Sequence, residues 1–434
     1  MRRTFVVFVF VILGVNVEAT EGSGPSEGTA RVLIRPARVF DGRSATPREG
    51  WVVLLHGDRV ERVGPEAEVP PPEGARVVDL PGATLLPGLI DAHTHVLLHP
   101  YEEASWNDQV LKEPLALRVC RATNHLRAAL DSGFTTVRDL GTEGAGFADV
   151  GLRQAVAEGI VPGPTMLIAT RAIVATGSYA PKGFAPEYDI PQGAEEADGV
   201  DALIRAVRDQ IGRGADWVKV YCDVAMGGEK VRPSFTLEEL KRIVETASAT
   251  GVPVAAHAVS REGMRRAALA GVATIEHGDG GDAEVFRLMA ERGVALCPTL
   301  AAAEAMSKYA GWKPGVDPEP ERLRAAKKAV QAARAAGVTI VNGSDMGVFA
   351  HGQGARELEL LVDSGFSPVE AIQAATVVAA RVLNRADQIG TIEVGKRADL
   401  LAVEGDPTRE IRALRSVKKV WIGGVERTPA AVSP

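Results

Sequence analysis

A repeated pattern of helical, glycine and apolar positions occupies the middle of the chain, between about residues 83 and 385. In each repeat a helical segment ends at a glycine, and a short apolar run that ends in a polar residue follows. The clearest copies are 131–139, 212–223, 248–257, 269–278, 290–298 and 335–345. Glycine suits the helix end because it adopts the left-handed conformation without steric cost. The runs are continuously apolar rather than alternating, which is typical of strands covered on both faces.

Strands of this kind, joined by helices, predict an α/β fold built as a (β/α)8 TIM barrel. Segments 83–96 and 164–170 bring the number of strands to eight, and such a barrel typically needs about 250 residues. An open doubly wound sheet is the structural alternative. That fold usually has a glycine-rich phosphate loop after its first strand, and the sequence has none there.

Short β-type runs separated by turn residues flank the predicted barrel. They occupy 30–82 and return at 390–406 and 417–427. Two β-rich segments at opposite ends of a chain favour one small β-sandwich domain assembled from both. We therefore predict an N-terminal part of this domain at 20–82, a metal-dependent barrel at 83–385 and a C-terminal part at 386–434.

The first nineteen residues have the pattern of a secretory signal peptide. A basic Arg2-Arg3 start precedes the apolar stretch 4–17, and small residues surround a plausible cut after Ala19. We expect export to the periplasm or the extracellular space, with an uncleaved anchor helix as the alternative. No other segment reaches the ~20 apolar residues that a membrane helix needs.

Composition and charge narrow the classes of partner. Apolar residues make up 46% and charged residues 24% of the chain, which is ordinary for a packed globular protein. A net charge of −7 argues against nucleic-acid binding. The three cysteines are too few for a disulfide scaffold, and their spacing does not form a zinc-finger pattern. A small-molecule substrate is the expected partner, and a homo-oligomer remains open.

Polar side chains at the predicted strand ends form the candidate site: His93, His95, Lys219, His257, His277 and Asp345. In a barrel, the ends of the strands carry the catalytic groups. Alternation along a strand directs His93 and His95 to the same side, so one metal can bind both. A lone histidine at a strand end is more often a packing residue. Four at matching positions, together with an aspartate, favour a metal site of the zinc type, with Mn, Co or Fe as substitutes.

Lys219 lies in the middle of an apolar strand that should be covered on both faces. A buried ammonium without a partner is costly. Two interpretations stay open at this point. Lys219 either forms a salt bridge to an acid such as Asp345, or it is carbamylated and bridges two metals through its new carboxylate.

Two further side chains are candidates for contact with a substrate. Tyr221 should point the same way as Lys219 and either donates a hydrogen bond to an oxyanion or packs at the rim. His351 lies in the loop after the eighth strand, where it either meets the substrate or stabilises the loop. We expect structural salt bridges at Arg138-Asp139 and at Glu276, and the long loop of 176–200 to cover the pocket.

Several motifs together resemble the amidohydrolase superfamily. They are LPGLIDAHTHV (86–96), TTVRDLG (135–141), WVKVY (217–221), VPVAAHA (252–258), TIEHG (274–278), NGSD (342–345) and GTIEVGKRADLLAVEGDP (390–407). The resemblance covers nearly the whole chain after residue 19. The nearest branch is the imidazolonepropionase-like and prolidase-like group, which includes dipeptidase, carboxypeptidase and ochratoxin-type amidases.

The resemblance implies a set of residue roles. His93, His95 and Asp345 would hold the more buried of two divalent metals, expected to be zinc, and His257 and His277 the more exposed one. Carbamylated Lys219 would bridge the two metals together with a hydroxide. Asp345 would take the proton of that hydroxide and deliver it to the leaving nitrogen.

The resulting hypothesis is a metal-dependent amidohydrolase that cleaves the amide bond of a dipeptide or N-acyl amino acid. Tyr221 and His351 would assist Asp345 in catalysis. A cyclic-amide hydrolase, a lactonase or a deaminase on the same scaffold is the alternative. A non-catalytic binding protein is a third possibility, which the complete set of proposed ligands disfavours.

Overall fold

The structure, a computed structural model, describes residues 31–225 and 230–429, so the predicted signal peptide lies outside the described residues. The strands are β1 Arg31–Val39, β2 Arg48–Glu49, β3 Trp51–His56, β4 Arg59–Pro65, β5 Arg76–Pro87, β6 Leu89–Thr94, β7 Phe134–Asp139, β8 Thr165–Ile168, β9 Ile173–Val174, β10 Glu195–Glu196, β11 Val218–Tyr221, β12 Asp223–Ala225, β13 Val231–Pro233, β14 Val254–Ala258, β15 Thr274–His277, β16 Ala295–Cys297, β17 Leu400–Glu404, β18 Val417–Ile422 and β19 Val425–Arg427. The α-helices are α1 Trp106–Lys112, α2 Leu115–Asp131, α3 Ala148–Ala157, α4 Gly199–Gly212, α5 Leu237–Ser248, α6 Arg261–Ala270, α7 Ala283–Arg292, α8 Leu300–Tyr309, α9 Glu321–Ala335, α10 Ala355–Asp363, α11 Pro368–Ala374 and α12 Val377–Val382. Two short 3₁₀ helices lie at Glu66–Glu68 and Ile411–Arg415.

Both ends of the described chain contribute to one eight-stranded sheet. Its order is β19-β18-β17-β5-β1-β3-β4, and β2 pairs with β1. The long strand β5 is parallel to β1 and antiparallel to β17, so it joins the N-terminal and C-terminal strands. Only Gly88 separates β5 from β6, the first strand of the central region. A Cβ there would lie 2.1 Å from Oγ1 of Thr135, and this close approach requires glycine.

Short parallel strands, with α-helices between most of them, form the central region. One sheet has the order β6-β7-β8 and another the order β10-β9-β11-β14-β15-β16. The amide of Asp216, just before β11, donates to the carbonyl oxygen of Ile168 in β8 and links the two sheets. All of these pairings are parallel, so the carboxyl ends of the strands face the same way. The central region is therefore of the α/β class.

The eighth predicted strand, 335–345, is not a regular strand. Ile340 forms an isolated parallel bridge to Leu296, and Met346 forms one to Thr94. Between these bridges the Asn342 side chain donates to the carbonyl oxygen of Ile90, and Asp345 has a φ of 64°. Side-chain bonding and left-handed backbone interrupt the ladder here, but the segment still joins β16 to β6.

Helix ends follow the predicted pattern of a helix, a glycine and a strand. Helix α6 ends at Gly271 with a φ of 90°, and β15 begins three residues later. Helix α7 ends in the same way at Gly293, with a φ of 68°. At the other end, Thr236 and Glu239 form a capping box at the start of α5. Among the described helices, none is both long enough and apolar enough to cross a membrane.

Candidate metal centre and active site

The polar side chains predicted at the strand ends lie together in space. Nε2 of His93 and Nε2 of His95 are 3.6 Å and 3.4 Å from Oδ1 of Asp345. The ring centroids of His93 and His277 are 5.2 Å apart, and those of His257 and His277 are 4.6 Å apart. Four imidazoles and one carboxylate, from four different segments of the central region, therefore form a single cluster.

Contacts at Nδ1 orient three of these imidazoles. Nδ1 of His93 lies 2.8 Å from Oε2 of Glu276, and Nδ1 of His95 lies 2.9 Å from the carbonyl oxygen of Gly141. Nδ1 of His277 lies 2.7 Å from the hydroxyl of Thr299. A ring nitrogen that donates to a carboxylate or carbonyl leaves the other nitrogen with a free lone pair, which is the form that binds metals.

Burial keeps most of these imidazoles neutral. It lowers the pKa of His93 and of His277 well below the ordinary value, and it lowers the pKa of His257 to about 3. The charge of Lys219 adds to the effect in all three. Neutral imidazole is the ligand form of histidine, so the environment prepares these side chains for a cation.

Lys219 is fully buried in β11. Its Nζ has no hydrogen-bond partner among the described residues, and no described carboxylate lies within 4.0 Å of it. The salt bridge considered from the sequence is therefore not formed with Asp345 or with any other described acid. Burial also lowers the pKa of Lys219, which raises the fraction of neutral amine.

A divalent cation fits this set of residues. Oδ1 of Asp345, like Nζ of Lys219, is buried and makes no hydrogen bond to a described residue. A buried polar group without a partner costs about 1–3 kcal/mol. Ligand atoms of His93, His95 and Asp345 all lie within 4.8 Å of one another, so one cation can contact the three.

The buried ion pair behind the histidines joins Arg138 and Glu276, both expected in structural salt bridges, and leaves Asp139 out of the pair. Arg138 pairs with Glu276 instead of its neighbour Asp139, at 3.1 Å between Nη2 and Oε1, and both side chains are fully buried. Asp139 instead accepts a hydrogen bond from the amide of Val96. Successive side chains of a strand point to opposite faces, so Arg138 and Asp139 cannot meet. Glu276 thus connects Arg138 to the Nδ1 of His93.

Tyr221 lies beside the cluster, as its spacing from Lys219 predicts. Its ring stacks on His257 with centroids 4.6 Å apart, and its hydroxyl lies 3.4 Å from Oε1 of Glu143. Burial, reinforced by the charge of Glu143, raises the pKa of Tyr221 well above its usual value, so the phenol keeps its proton. Glu143 was not predicted as a site residue, although it follows β7 closely, where polar residues at strand ends are expected.

His351 contacts the loop that follows the first two histidines. Its Nε2 lies 3.0 Å from the carbonyl oxygen of Leu98, and its ring stacks on His125 with centroids 4.3 Å apart. The ring of His125 bonds in turn to the carbonyl oxygen of Val96. These contacts are the ones expected from the loop-stabilising alternative.

A cavity of about 340 Å³ opens beside His257 and Tyr221. The predicted covering loop contributes Tyr179 and Lys182 to its lining, and α1 contributes Trp106. Lys182 is the only lysine or arginine among the described lining residues. A second cavity of about 700 Å³ shares Lys182 and extends along the same loop. A small molecule therefore has room next to the histidine cluster.

A comparison with known protein families agrees with the geometry of this site. Residues 84–427 match the model of the amidohydrolase family, so the chain belongs to this family. The family is generally metal-dependent, and the residues described above can hold a metal.

Individual relatives indicate which branch of the amidohydrolase family the chain resembles. The chain is 30% identical to the ochratoxinase of Aspergillus niger, over 92% of this chain and 87% of that protein. A crystal structure of a Xaa-Pro dipeptidase with bound methionine has a TM-score of 0.82 at 32% identity, covering 92% of this chain and 100% of that one. The imidazolonepropionase of Rhizorhabdus wittichii is 28% identical, over 81% and 87% of the two chains. The expected branch is confirmed, and the chain is a hydrolase that acts on C–N bonds.

Proposed function

We propose that this protein is an exported, metal-dependent amidohydrolase that cleaves the amide bond of a dipeptide or an N-acyl amino acid. The observation that carries the proposal is the meeting of four imidazoles and Asp345 beside a cavity of about 340 Å³. Nζ of Lys219 lies 5.5 Å from the ring centroid of Tyr221, which lines the same cavity. Export is supported by the apolar pattern of residues 4–17.

We further propose how the cluster holds two divalent metals, zinc in the first instance. His93, His95 and Asp345 would bind the more buried ion, and His257 and His277 the other. Lys219 would bridge them as a carbamate, which its neutral amine can form with carbon dioxide. Bound there, such ions act as Lewis acids and lower the pKa of a coordinated water to about 7.

Asp345 is the proposed general acid and base. Before a cation binds, burial raises its pKa to about 6. A carboxylate next to the attacking water can both accept and return a proton. Asp345 would accept the proton of the attacking water and pass it to the leaving nitrogen. The protonated hydroxyl of Tyr221 would donate to the oxygen of the substrate carbonyl as negative charge develops there.

Lys182 favours a substrate with a free carboxylate. Among the described residues, its Nζ bonds only to the carbonyl oxygen of Ala225, at 3.3 Å, and no described carboxylate lies within 4.0 Å of it. Two contacts between Asn107 and the Lys182 backbone, at 2.8 and 3.4 Å, attach the loop to α1. The loop that carries Lys182 is thus attached next to the cavity, where the ammonium would reach the carboxylate of an amino-acid product.

The proposal extends to the architecture. Backbone bonds from Ala92 to Asn342 and from Asp345 to His93 connect the last central segment to the first strand. They support closure of the central strands into a (β/α)8 barrel. The eight-stranded sheet at the chain ends would then form the smaller β-sandwich domain.

The test is amine release from a library of dipeptides and N-acyl amino acids, with protein purified in zinc and bicarbonate. Asp345→Asn should lower kcat by at least about 100-fold. Full activity in this variant, or in protein freed of metal by a chelator, would contradict the mechanism. If metal-loaded protein releases no amine from any member, the amide proposal is wrong, and cyclic amides or lactones become the next substrates to assay.

Lys182→Met tests the substrate class within the same assay. Loss of one charge-assisted hydrogen bond of about 1.5–3 kcal/mol should raise KM about 10- to 100-fold for substrates with a free carboxylate. The corresponding carboxamides should be unaffected. Lys241→Met, on the exposed face of α5, is the matched control. An equal effect on acids and carboxamides would contradict the role of Lys182.

A further inference from the structure

Glu143 is a buried acid held in a fixed position at the wall of the cavity. It has a φ of 49°, which residues other than glycine seldom adopt. The guanidinium of Arg118 donates to its carbonyl oxygen at 2.8 Å. Its carboxylate accepts bonds from Nε1 of Trp106 and from the hydroxyl of Tyr179, both at 2.8 Å. Main chain and side chain are therefore both anchored.

The side chains that bond to Glu143 form a continuous row of rings that ends at the histidine cluster. Ring centroids are 4.9 Å apart for Trp106 and Tyr179, 4.6 Å for Tyr179 and Tyr221, and 4.6 Å for Tyr221 and His257. All four rings line the 340 Å³ cavity. One carboxylate thus organises an aromatic wall that reaches a proposed metal ligand.

Stability alone does not account for a carboxylate at this position. No lysine or arginine of the described chain lies within 4.0 Å of it, and Nδ1 of His95, at 3.9 Å, is already bonded to Gly141. Burial of an anion whose hydrogen-bond donors are mainly neutral carries a desolvation cost that an apolar side chain would not have. A strained, buried and charged residue beside an active site points to a functional role.

The three hydrogen bonds to the Glu143 carboxylate are unequal. Trp106 and Tyr179 donate at 2.8 Å, whereas the hydroxyl of Tyr221 lies at 3.4 Å from Oε1. The first two anchor the carboxylate. The third is long enough to be weak, so Tyr221 can turn its proton to another acceptor at little cost.

We infer that Glu143 is a positioning residue that acts through Tyr221. Its anchored carboxylate orients the hydroxyl of Tyr221 at the cavity wall through this weak bond, which can be exchanged for a bond to the carbonyl oxygen of a bound amide. The inference rests on the proposed function, in which Tyr221 donates to that oxygen. Trp106 and Tyr179 contribute indirectly, by fixing Glu143.

A double-mutant cycle tests the inference with the metal-loaded full chain. We expect Tyr221→Phe to lower kcat about 100-fold, as for loss of one oxyanion donor, and Glu143→Gln to lower kcat about 10-fold with little change in KM. In the Tyr221→Phe background, Glu143→Gln should lower kcat by less than about twofold. Two residues that act through each other do not have additive effects, whereas independent residues do. The same tenfold loss in both backgrounds would overturn the inference.

Two further variants guard against a folding defect. Tyr179→Phe keeps Glu143 but removes one anchor, and it should give a smaller loss of kcat that also disappears in the Tyr221→Phe background. Glu113→Gln is the matched control and should leave kcat unchanged. Glu113 is a partly buried acid whose carboxylate contacts the ring of His99 and none of the four rings of the aromatic wall. A loss of kcat in Glu113→Gln equal to that in Glu143→Gln would also overturn the inference.

Near-ultraviolet circular dichroism provides a readout that does not need turnover. Release of Tyr179 and Trp106 from Glu143 should weaken the aromatic signal in Glu143→Gln while the far-ultraviolet spectrum stays unchanged. If the wild-type protein cleaves no amide but this signal falls, the proposed function fails and the anchoring stands. An unchanged aromatic signal in Glu143→Gln overturns the anchoring itself.

Discussion

Removal of Arg138 should destabilise the protein strongly. Both members of the Arg138–Glu276 pair are fully buried, with Nη2 and Oε1 3.1 Å apart. At this distance and an effective dielectric constant of about 20, the attraction is about 5 kcal/mol. Arg138→Met would leave Glu276 buried and charged, and breaking such a pair typically costs about 3–5 kcal/mol. The change would also remove the bond from Nε of Arg138 to the carbonyl oxygen of Ala92 and the contact with the Trp217 ring.

The assay is urea unfolding followed by both far-ultraviolet circular dichroism and tryptophan fluorescence. If the two probes give the same transition, unfolding is two-state and a free energy of unfolding can be derived from it for a chain of this size. Arg213→Met, which breaks an exposed pair with Asp209, is the control and should not shift the midpoint measurably. The double variant Arg138→Met/Glu276→Met should recover much of the loss, because no unpaired charge remains. If Arg138→Met unfolds at the same urea concentration as the wild-type protein, the buried ion pair does not stabilise the fold as argued.

Three other predictions follow from buried groups. Glu276→Gln should weaken zinc binding about 10- to 100-fold in a competition titration, because the carboxylate orients His93 through its Nδ1; unchanged affinity would contradict this. Gly343→Ala should distort the site and lower both the melting temperature and zinc affinity, since its Cβ would lie 2.2 Å from Sγ of Cys297 and 2.9 Å from Cβ of His93. Gly151→Ala is the control in both assays, because nothing lies within 4 Å of its new Cβ. Burial raises the pKa of Glu357 from 4.5 to about 8. Its contribution to stability is therefore complete below about pH 4.5 and lost as pH rises through about 8, so Glu357→Gln should gain stability relative to wild type between about pH 5 and 9. A pH-independent difference in unfolding midpoint would show that Glu357 does not titrate in this way.

Much of the candidate site was predictable because it depends on local periodicity. Alternation along a strand directs His93 and His95 to one side, and the same rule relates Lys219 to Tyr221. A glycine after each helix locates the start of the following strand, and the polar residue after each strand then identifies a ligand. Strand ends in parallel sheets face the same way, so residues far apart in sequence could be assigned to one cluster.

Partner choice among the buried charges required the tertiary structure. Arg138 has an acid as its sequence neighbour but pairs with Glu276, because adjacent strand residues face opposite sides and the true partner lies on another strand. Nothing in the local pattern around Glu143 indicates that Trp106, Tyr179 and Tyr221 converge on it.

The sequence by itself determined the spacing of the site residues, because spacing along a strand or helix follows from backbone geometry. The tertiary structure decided which donors meet which acceptors, and that the segment 335–345 bridges its neighbours without forming a regular strand. Hydrogen bonds and ion pairs act over about 3 Å. Whether two groups come that close depends on how separate elements pack, and no local periodicity contains that information.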